Sequence, residues 1–316
     1  MTNYILQRAI AMILTLFAIS TITFFLMHAI PGGPFTREKP LEAQIVAALN
    51  EKYHLDDPLI KQYADYMADL VRGDLGPSFK FRGRTVNELI SGGFPITARI
   101  GILSVLVTVL LSIPMGIISA IKQNKWEDYS TMFVATLGVT VPSFVLASLL
   151  IYVFCVKFGW FPVIWSTDAT GWLKYSQYIL PMIALSGYSI SFITRLMRAS
   201  MLDVISQDYI RTARAKGLSE FRVIMEHALK NAVLPVVTYL GPMIAGVVTG
   251  SFVIEKMFTI PGIGYQYVDS IGNRDYTMIM GSTIFYAAIL IVLNFAVDII
   301  YGFIDPRIKL GNIKEA

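Results

Sequence analysis

The stretch SQDYIRTARAKGLSEFRVIMEHALKNAVLP, residues 206–235, is a polar and basic interlude between two strongly apolar segments. Apolar residues recur at helical spacing on both sides of Gly217, a residue type that readily takes the left-handed conformation that ends a helix. The pattern predicts a helix over residues 207–216, a glycine hinge, and a second helix that begins at a Ser219 cap. A helix, a hinge and a second helix between apolar segments are typical of a docking element.

Small residues and cations make up the first half of this stretch. Without large side chains, its turn allows the backbone of another protein to approach closely, and the cations supply charge around it. The predicted docking residues are Arg211, Thr212, Ala213, Arg214, Ala215, Lys216, Gly217 and Leu218. A solvated connector between two membrane helices has the same pattern, so the residues of this stretch alone leave both interpretations open.

The composition indicates a membrane protein. Hydrophobic residues make up 55% of the chain, charged residues make up 15%, and the mean hydropathy is +0.59, values outside the range of soluble domains. The single cysteine, Cys155, lies in an apolar run, which excludes a disulfide framework or a thiol metal cluster.

Six uncharged stretches are long enough to span a bilayer, which takes about 20 residues in a helix. They predict an all-α protein with membrane helices at residues 9–30, 98–121, 130–157, 178–198, 234–256 and 277–303. The first apolar run is too long for a secretory signal and has no small-x-small cleavage site, so it is interpreted as an uncleaved anchor.

The positive residues near the helix ends predict the orientation. With the N-terminus inside, the cytoplasmic side carries Arg8, Lys122, Lys125, Arg195, Arg198, Arg211, Arg214, Lys216, Arg222, Lys230, Arg307, Lys309 and Lys314. The short outer loops hold only Lys157, Lys174, Lys256 and Arg274. Both termini and the 206–235 loop are therefore predicted to be cytoplasmic, with an anchor at 1–30, an outer subdomain at 31–96 and a core at 97–316.

The outer segment, residues 31–96, shows helical spacing from Leu41 to Leu49 and from Leu59 to Leu70. The sequence RGDLGPSF, residues 72–79, has the Gly-Asp and Gly-Pro pairs of a tight turn. The segment is either a surface cap over the outer side of the membrane helices or the surface that receives a binding protein.

Enzymatic motifs are absent from the sequence. It has no GxxxxGK[ST] phosphate loop, no HExxH and no GxSxG, and its three histidines are scattered. We therefore expect no catalytic, cofactor or metal site and no nucleic-acid partner. Asp298 is the only carboxylate in the last apolar span, and it lies too close to Arg307 and Lys309 for the mid-membrane position that an ion-driven pump usually needs.

Hydroxyls and glycines provide the polarity within the predicted spans. The candidate translocation path comprises Thr136, Thr140, Ser143, Ser189, Thr238, Thr249 and Ser251. Gly246 and Gly250 form a GxxxG pair, which is typical of close helix packing, with a pore-lining role as the alternative. At the outer end of the fifth span, Glu255, Pro261, Gly262 and Gly264 suggest a re-entrant turn, with a plain outer loop as the alternative.

Several of these motifs resemble one transporter family. RTARAKGL, residues 211–218, followed by Leu234-Pro235, resembles the EAA loop of permease subunits of binding-protein-dependent ABC importers. Arg211-Thr212-Ala213 replace Glu-Ala-Ala, as in the oligopeptide and dipeptide branch. The outer segment also resembles this branch, with PGGP at 31–34 in place of PGDP and with RGDLGPSF. FTIPGIGYQYVDSIGNRDY (258–276) and VDIIYGFIDPRIKL (297–310) are similar to its B-type permease.

The resemblance implies a type I ABC importer permease fold with a helical extracytoplasmic loop after the first helix, in a bacterial or archaeal plasma membrane. It also implies a heterodimer with a second homologous permease, two ATPase subunits that bind the ATP and Mg, and an extracytoplasmic peptide-binding protein, all within membrane lipid. The loop would be the coupling helix that sits in a groove of the ATPase. A self-sufficient channel or ion-coupled carrier is the alternative, and di-, oligo- and modified peptides and nickel complexes all stay open as substrates.

Overall fold

The computed structural model describes residues 2–31, 33–35 and 43–304, and the regular secondary structure in these ranges is helical. Five helices are long and apolar enough to cross a membrane, and one bent pair makes a sixth span if counted as one crossing. The spans are Leu6–Ala29, Val86–Ile121, Gly171–Ile205, Leu234–Met257 and Tyr276–Val297, with Trp126–Thr140 and Ser143–Lys157 as the bent pair. The prediction of an all-α membrane protein is confirmed.

Fifteen helical elements follow one another along the described chain. They are α1 (Thr2–Ala29), α2 (Ala43–Lys52), α3 (Leu59–Val71), α4 (Val86–Ile121), α5 (Trp126–Thr140), α6 (Ser143–Leu150), α7 (Gly171–Ser176), α8 (Ile179–Ile205), α9 (Asp208–Ala215), α10 (Glu220–Arg222), α11 (Leu229–Ala232), α12 (Leu234–Val248), α13 (Phe252–Met257), α14 (Ile263–Asn273) and α15 (Tyr276–Ile304). Two π-helical segments, Ile151–Lys157 and Val223–Ala228, continue α6 and α10. Leu41, the side chain of Asp298, and residues 305–316 with Arg307 and Lys309 lie outside the described residues.

The second span begins earlier than predicted. Helix α4 starts at Val86 and not near residue 98, and its 36 residues extend over about 54 Å at 1.5 Å per residue. A bilayer core is about 30 Å thick, so one end of α4 continues well beyond it. The residues before 98 include Gly92 and Gly93, which obscured this helix in the sequence.

The third span is not the single helix predicted over residues 130–157. It consists of α5 and α6, whose axes differ by 105°. The break falls at Val141 and Pro142, where Val141 is extended with φ −82° and ψ 120°. Proline disfavours the helical conformation for the residue before it and cannot donate a backbone hydrogen bond, which accounts for the break at this point.

The fifth predicted helix is also interrupted, and only one glycine of its GxxxG pair is closely packed. A side chain at Gly246 would meet nothing within 4 Å, whereas a Cβ on Gly250 would lie 2.5 Å from Cγ2 of Thr97 in α4. Gly250 has φ +82° and ends α12, and Ser251 then accepts a hydrogen bond from the Ile254 N–H at the start of α13. Close approach also occurs at Gly116, where a Cβ would lie 2.5 Å from the Cβ of Met197.

The chain divides into two compact units. One contains residues up to Ile96 together with Pro261–Phe295, and the other contains Thr97–Ile260 with Ala296–Ile304. The division into residues 1–30, 31–96 and 97–316 stays a prediction.

In the first unit, the predicted helices of the outer segment are present as α2 and α3. Helix α3 packs against the membrane helices of its own unit, where the Tyr63 hydroxyl lies 2.8 Å from the Thr21 hydroxyl. The buried cluster beneath it consists of Phe24, Met27, Tyr276, Ile279 and Met280, with Tyr63, Tyr66, Phe79 and Tyr267 packed against it. The outer segment is therefore joined to α1 and α15 by aromatic packing.

The buried carboxylate of Asp275 fixes the turn that follows α3. It accepts hydrogen bonds from the Ser78 hydroxyl at 2.5 Å and from the Phe79 and Lys80 N–H groups at 3.1 and 3.2 Å. Gly73 and Gly76 have φ values of +79° and +84°. The tight turn predicted from RGDLGPSF is thus confirmed, and a carboxylate distant in sequence holds it in place.

In the second unit, α8 is the central helix and packs against α5, α6, α12 and the elements of residues 206–235. The Asp128 carboxylate at the start of α5 accepts two hydrogen bonds of 2.7 Å from Arg198 of α8. It also accepts bonds from the Ser119 hydroxyl of α4 and the Asn124 N–H. One buried ion pair therefore joins three helices of this unit.

Candidate docking loop and membrane-embedded polar residues

Residues 206–235, here called the docking loop, form two helical segments around a left-handed glycine. Helix α9 occupies Asp208–Ala215, one residue shorter at each end than predicted, and Gly217 has φ +78°. Ser219 is extended and precedes the second segment, as predicted, but its side chain makes no capping hydrogen bond. The turn conformation agrees with the sequence prediction, whereas the contact that holds the turn is a different one.

That contact is an ion pair between Arg214 and Glu220 across the turn. The guanidinium donates hydrogen bonds of 3.1 and 2.6 Å to the two carboxylate oxygens. These bonds lower the pKa of Glu220 below its ordinary value of 4.5. A lowered carboxyl pKa means that the pair stabilises the fold above pH 4.5 and loses its effect as the pH falls through the lowered value. At neutral pH the pair is fully formed.

Buried aliphatic side chains attach the loop to α8. Ile210 of α9 and Val223 of the second segment are fully buried, and they belong to a core cluster that includes Met197 and Met201 of α8. A further bond joins the two segments, because the Asn231 amide donates to the Tyr209 hydroxyl at 2.8 Å. The loop is therefore a packed part of its unit.

This packing divides the predicted docking residues into two groups. The sequence predicted that Ala213 contacts a partner, but its side chain is buried against the core. Leu218 packs partly against the same core. The exposed residues are Arg211, Thr212, Arg214, Ala215, Lys216 and Gly217. A partner can thus approach a surface of cations and small residues that has a rigid underside.

Two exposed apolar side chains on this surface were missed from the sequence. Phe221 is 76% exposed and Met225, four residues later, is 41% exposed. The buried residues of the same segment are Val223, Ile224 and Ala228, and a π-helical stretch there shifts the register of its faces. At α-helical spacing Phe221 and Met225 share a face with the buried Ile224 and Ala228, so no sequence signal marked them as exposed.

The candidate path residues do not share one environment. Thr136, Thr140, Ser143 and Thr238 are exposed, Ser189 and Thr249 are buried, and Ser251 caps α13. Thr136 accepts a hydrogen bond of 2.9 Å from the Arg195 guanidinium. The sequence predicted hydroxyls without a fixed charge near them. The structure instead has the Arg195 cation beside Thr136, just before the bend at Pro142.

The outer-turn residues lie in two different compact units. Glu255 is buried in α13, and a Cβ on Gly250 would approach its Oε1 atom to 2.5 Å. Pro261, Gly262 and Gly264 belong to the other unit, where Gly262 precedes α14 and lies close to Gly93 of α4. Helices α13 and α14 lie on either side of this stretch, and the re-entrant turn stays a prediction.

In the described ranges, no three side chains of His, Cys, Asp or Glu lie close enough together to hold a metal ion.

Two family models together match most of the chain. Residues 112–310 match the family described as "Binding-protein-dependent transport system inner membrane component", and residues 1–100 match the N-terminal family of the same membrane components.

Curated relatives align over almost their whole length. The chain is 45% identical over 310 residues to the dipeptide transport system permease protein DppB of Bacillus subtilis, covering 98% of this chain and 99% of that protein. It is 44% identical over 313 residues to the oligopeptide transport system permease protein OppB of Salmonella typhimurium, covering 98% of this chain and all of that protein.

A solved structure shares the fold. A chain of the MetNI methionine ABC transporter superposes with a TM-score of 0.56 at 16% identity, covering 69% of this chain and 96% of that one. The match supports the predicted type I permease fold.

The geometry of the loop predicts that packing stabilises it more than the ion pair does. Ile210→Ala is expected to destabilise the loop by about 2–5 kcal/mol, because it leaves a cavity at a fully buried position. Arg214→Gln should cost less than about 1 kcal/mol, because the pair is 39% and 54% exposed. Amide hydrogen exchange over residues 208–232 measures both effects, with Phe221→Ala as the exposed control. Equal loss of protection in the Ile210 and Arg214 variants would contradict this ranking.

Proposed function

The chain belongs to the inner-membrane components of binding-protein-dependent transport systems, and from that membership we propose that it is one of two permease subunits of an ATP-driven peptide importer. The observation that carries the proposal is the full-length similarity, at 44–45% identity, to permeases named for dipeptide and oligopeptide transport. The chain is a transport subunit and not an enzyme. Because both kinds of relative match equally well, short peptides are the proposed substrate class.

The proposed assembly contains a second homologous permease, two ATPase subunits that bind ATP and Mg, and an extracytoplasmic peptide-binding protein. The family description, which names dependence on a binding protein, supports the last of these. Large apolar side chains on α5 and α6, among them Phe133, Phe144 and Leu149, are exposed in the single chain. Such a surface requires a cover of lipid or of the second permease.

We assign the docking loop to contact with the ATPase. Three properties support this role: an exposed surface of Arg211, Lys216 and Phe221, a left-handed turn at Gly217, and buried packing onto α8. A partner that displaces the loop would also displace α8, because the segments Val223–Ala228 and Leu229–Ala232 of the loop pack against that helix. The loop therefore has the mechanical properties of a coupling element.

The proposed translocation path includes the exposed hydroxyls near the bend of the third span. Thr136, Thr140 and Ser143 lie on both sides of Pro142, and Arg195 bonds to the first of them. A bent helix with hydroxyls at the bend offers substrate contact and a place for movement. Thr238 on α12, Ser251 at the cap of α13, and the buried Ser189 and Thr249 complete the set.

Both termini and the docking loop are proposed to face the cytoplasm, and the outer segment is proposed to receive the binding protein. The excess of Lys and Arg near one set of helix ends supports this orientation. The two helices of the outer segment, joined to α1 and α15, provide the folded surface that docking needs.

Reconstitution separates this function from that of an independent carrier. In proteoliposomes, the chain alone should transport no labelled peptide under a proton or sodium gradient. The complete complex should import the peptide when ATP and the loaded binding protein are supplied on their proper sides. Gradient-driven uptake by the chain alone would overturn the proposal.

The orientation predicts opposite labelling of two single-cysteine variants. With Cys155 replaced by alanine, a cysteine at Lys216 should react with a membrane-impermeant maleimide only from the cytoplasmic side, and a cysteine at Lys61 only from the outside. Both lysines are exposed, so burial does not prevent the reaction. Reaction of Lys61→Cys from the cytoplasm would refute the orientation.

Coupling is expected to fail in Gly217→Val. A branched residue at φ +78° is strained by about 1–3 kcal/mol and adds bulk to the exposed turn. We expect membrane insertion, with poor assembly or with ATP hydrolysis that does not drive uptake. Gly217→Asn should be milder, because asparagine tolerates the left-handed conformation.

Gly159→Val is the matched control for this variant. Gly159 has φ +65° and equally open surroundings, but it lies after the third span and outside the docking loop. Uptake and ATPase rates are measured in reconstituted complexes at matched expression. Normal uptake by Gly217→Val would show that the loop is a connector only.

A further inference from the structure

A pocket of about 280 Å³ lies in the unit that contains the outer segment. Its walls come from the end of α1, from α3 and the turn after it, and from the start of α15. We call it the outer pocket and define it by Phe24, Asp65, Tyr66, Asp69, Asp74 and Tyr276. None of its residues belongs to the proposed translocation path, so its role is separate from substrate passage.

The floor of the outer pocket is aromatic and buried. Phe24 and Tyr276 are only 2% and 4% exposed, and Met280 lies beside them. The rings of Phe24 and Tyr66 stack at 5.5 Å between centroids. Aromatic faces carry negative partial charge and attract cations, while their apolar surface accommodates an aliphatic stem.

The rim of the outer pocket is exposed and acidic. Asp65, Asp69 and Asp74 contribute three carboxylates, and Lys52 is the cation among the lining residues, while Arg72, outside the lining, pairs with Asp69 at 3.5 Å. His54 also lies at the rim, and His28 and Gln62 bond to each other within the wall at 3.2 Å. At neutral pH the carboxylates outnumber the cation, so the rim favours a positively charged guest.

Two phenol hydroxyls in the walls have no hydrogen-bond partner among the described residues. They belong to Tyr66 and Tyr276, and both oxygen atoms are buried. Burial raises the pKa of Tyr66, so its hydroxyl stays neutral and can accept or donate a hydrogen bond. Buried polar groups are normally paired, which points to a partner that supplies the missing bond.

We propose that the outer pocket receives a single lysine or arginine side chain of the extracytoplasmic binding protein. Such a side chain combines an aliphatic stem for the aromatic floor with a charged group for the carboxylate rim. The volume is below the roughly 300–1,000 Å³ of ordinary ligand pockets, so it suits one side chain and not a whole peptide. This inference rests on the proposed function and identifies where the binding protein is anchored.

The test measures ATPase activity of the complete complex in nanodiscs during titration with peptide-loaded binding protein. Asp65→Asn with Asp69→Asn removes two rim charges without changing side-chain size. We expect the concentration for half-maximal stimulation to rise about tenfold or more, because a charge-paired anchor is lost. The maximal rate should be unchanged, since neither residue belongs to the ATPase-coupling surface or the path.

The matched control is Glu51→Gln with Asp56→Asn. These residues are exposed in the same outer segment but do not line the outer pocket, and they remove the same net charge. The control should shift the half-maximal concentration by less than about twofold, because it loses only long-range attraction. The two double variants lose the same amount of that attraction, so a larger shift in the Asp65, Asp69 variant reports the lost contact in the outer pocket. Equal shifts in the two pairs, or no shift in either, would overturn the anchor.

The guest residue is identified by substituting each surface lysine and arginine of the binding protein with alanine. One substitution should weaken stimulation in the wild-type complex and have no further effect in the Asp65→Asn, Asp69→Asn complex. If no substitution is coupled in this way, the anchor is rejected. If the wild-type complex is not stimulated by any loaded binding protein, the proposed function fails instead, which keeps the two failures distinct.

Discussion

The buried carboxylate of Asp128 is the interaction on which the larger compact unit depends. It accepts two hydrogen bonds from Arg198, one from Ser119 and one from the Asn124 N–H, so all its main acceptor positions are used. Removing one member of a buried pair costs about 3–5 kcal/mol, because the other charge stays buried. The same carboxylate stabilises Asn124 at φ +61°, a conformation uncommon for residues other than glycine. It thereby fixes the connection between α4 and α5 as well as their contact with α8.

Helix α8 transmits this constraint to the docking loop. Its 27 residues extend over about 40 Å, and Met197 and Met201 near one end belong to the core cluster that contains Ile210 of the loop. Arg195, two residues before Met197, donates to Thr136 of α5. The loop, the ion pair and the bent third span are thus all attached to a single continuous helix. A displacement of the docking loop by a partner cannot be absorbed locally, because close-packed side chains offer little room for independent movement.

The features that the sequence predicted are those set by local chemistry. Apolar runs specify membrane helices wherever they occur, and Gly217 ends α9 because glycine takes a positive φ without steric cost. The helices of the outer segment follow from their apolar spacing, which needs no knowledge of what they pack against.

The features that the sequence did not reveal depend on residues that are distant in the chain. From the sequence, Arg198 is only a cation near a helix end, because its carboxylate partner Asp128 lies 70 positions away in the chain. Gly246 and Gly250 match a packing motif, but only tertiary structure decides which glycines meet another backbone. Ala213 reads as a small contact residue of the loop surface, whereas packing against α8 turns it inward. Pro142 predicts an interruption of the helix, but the surrounding packing sets the bend angle.

The hydroxyls of the proposed path are largely occupied within their own helices, and this limits how tightly they can hold a substrate. Thr136, Thr140 and Thr238 donate to the carbonyl groups four residues earlier, at 2.7, 2.8 and 3.0 Å. A hydroxyl has one proton to donate, so the lone pairs left over can only accept. Such a surface presents methyl groups and weak acceptors, with Arg195 as a donor beside them. Peptides of different sequence share backbone N–H groups, and a path lined in this way would offer them few donors and weak acceptors, so we expect substrate binding to stay weak enough for release.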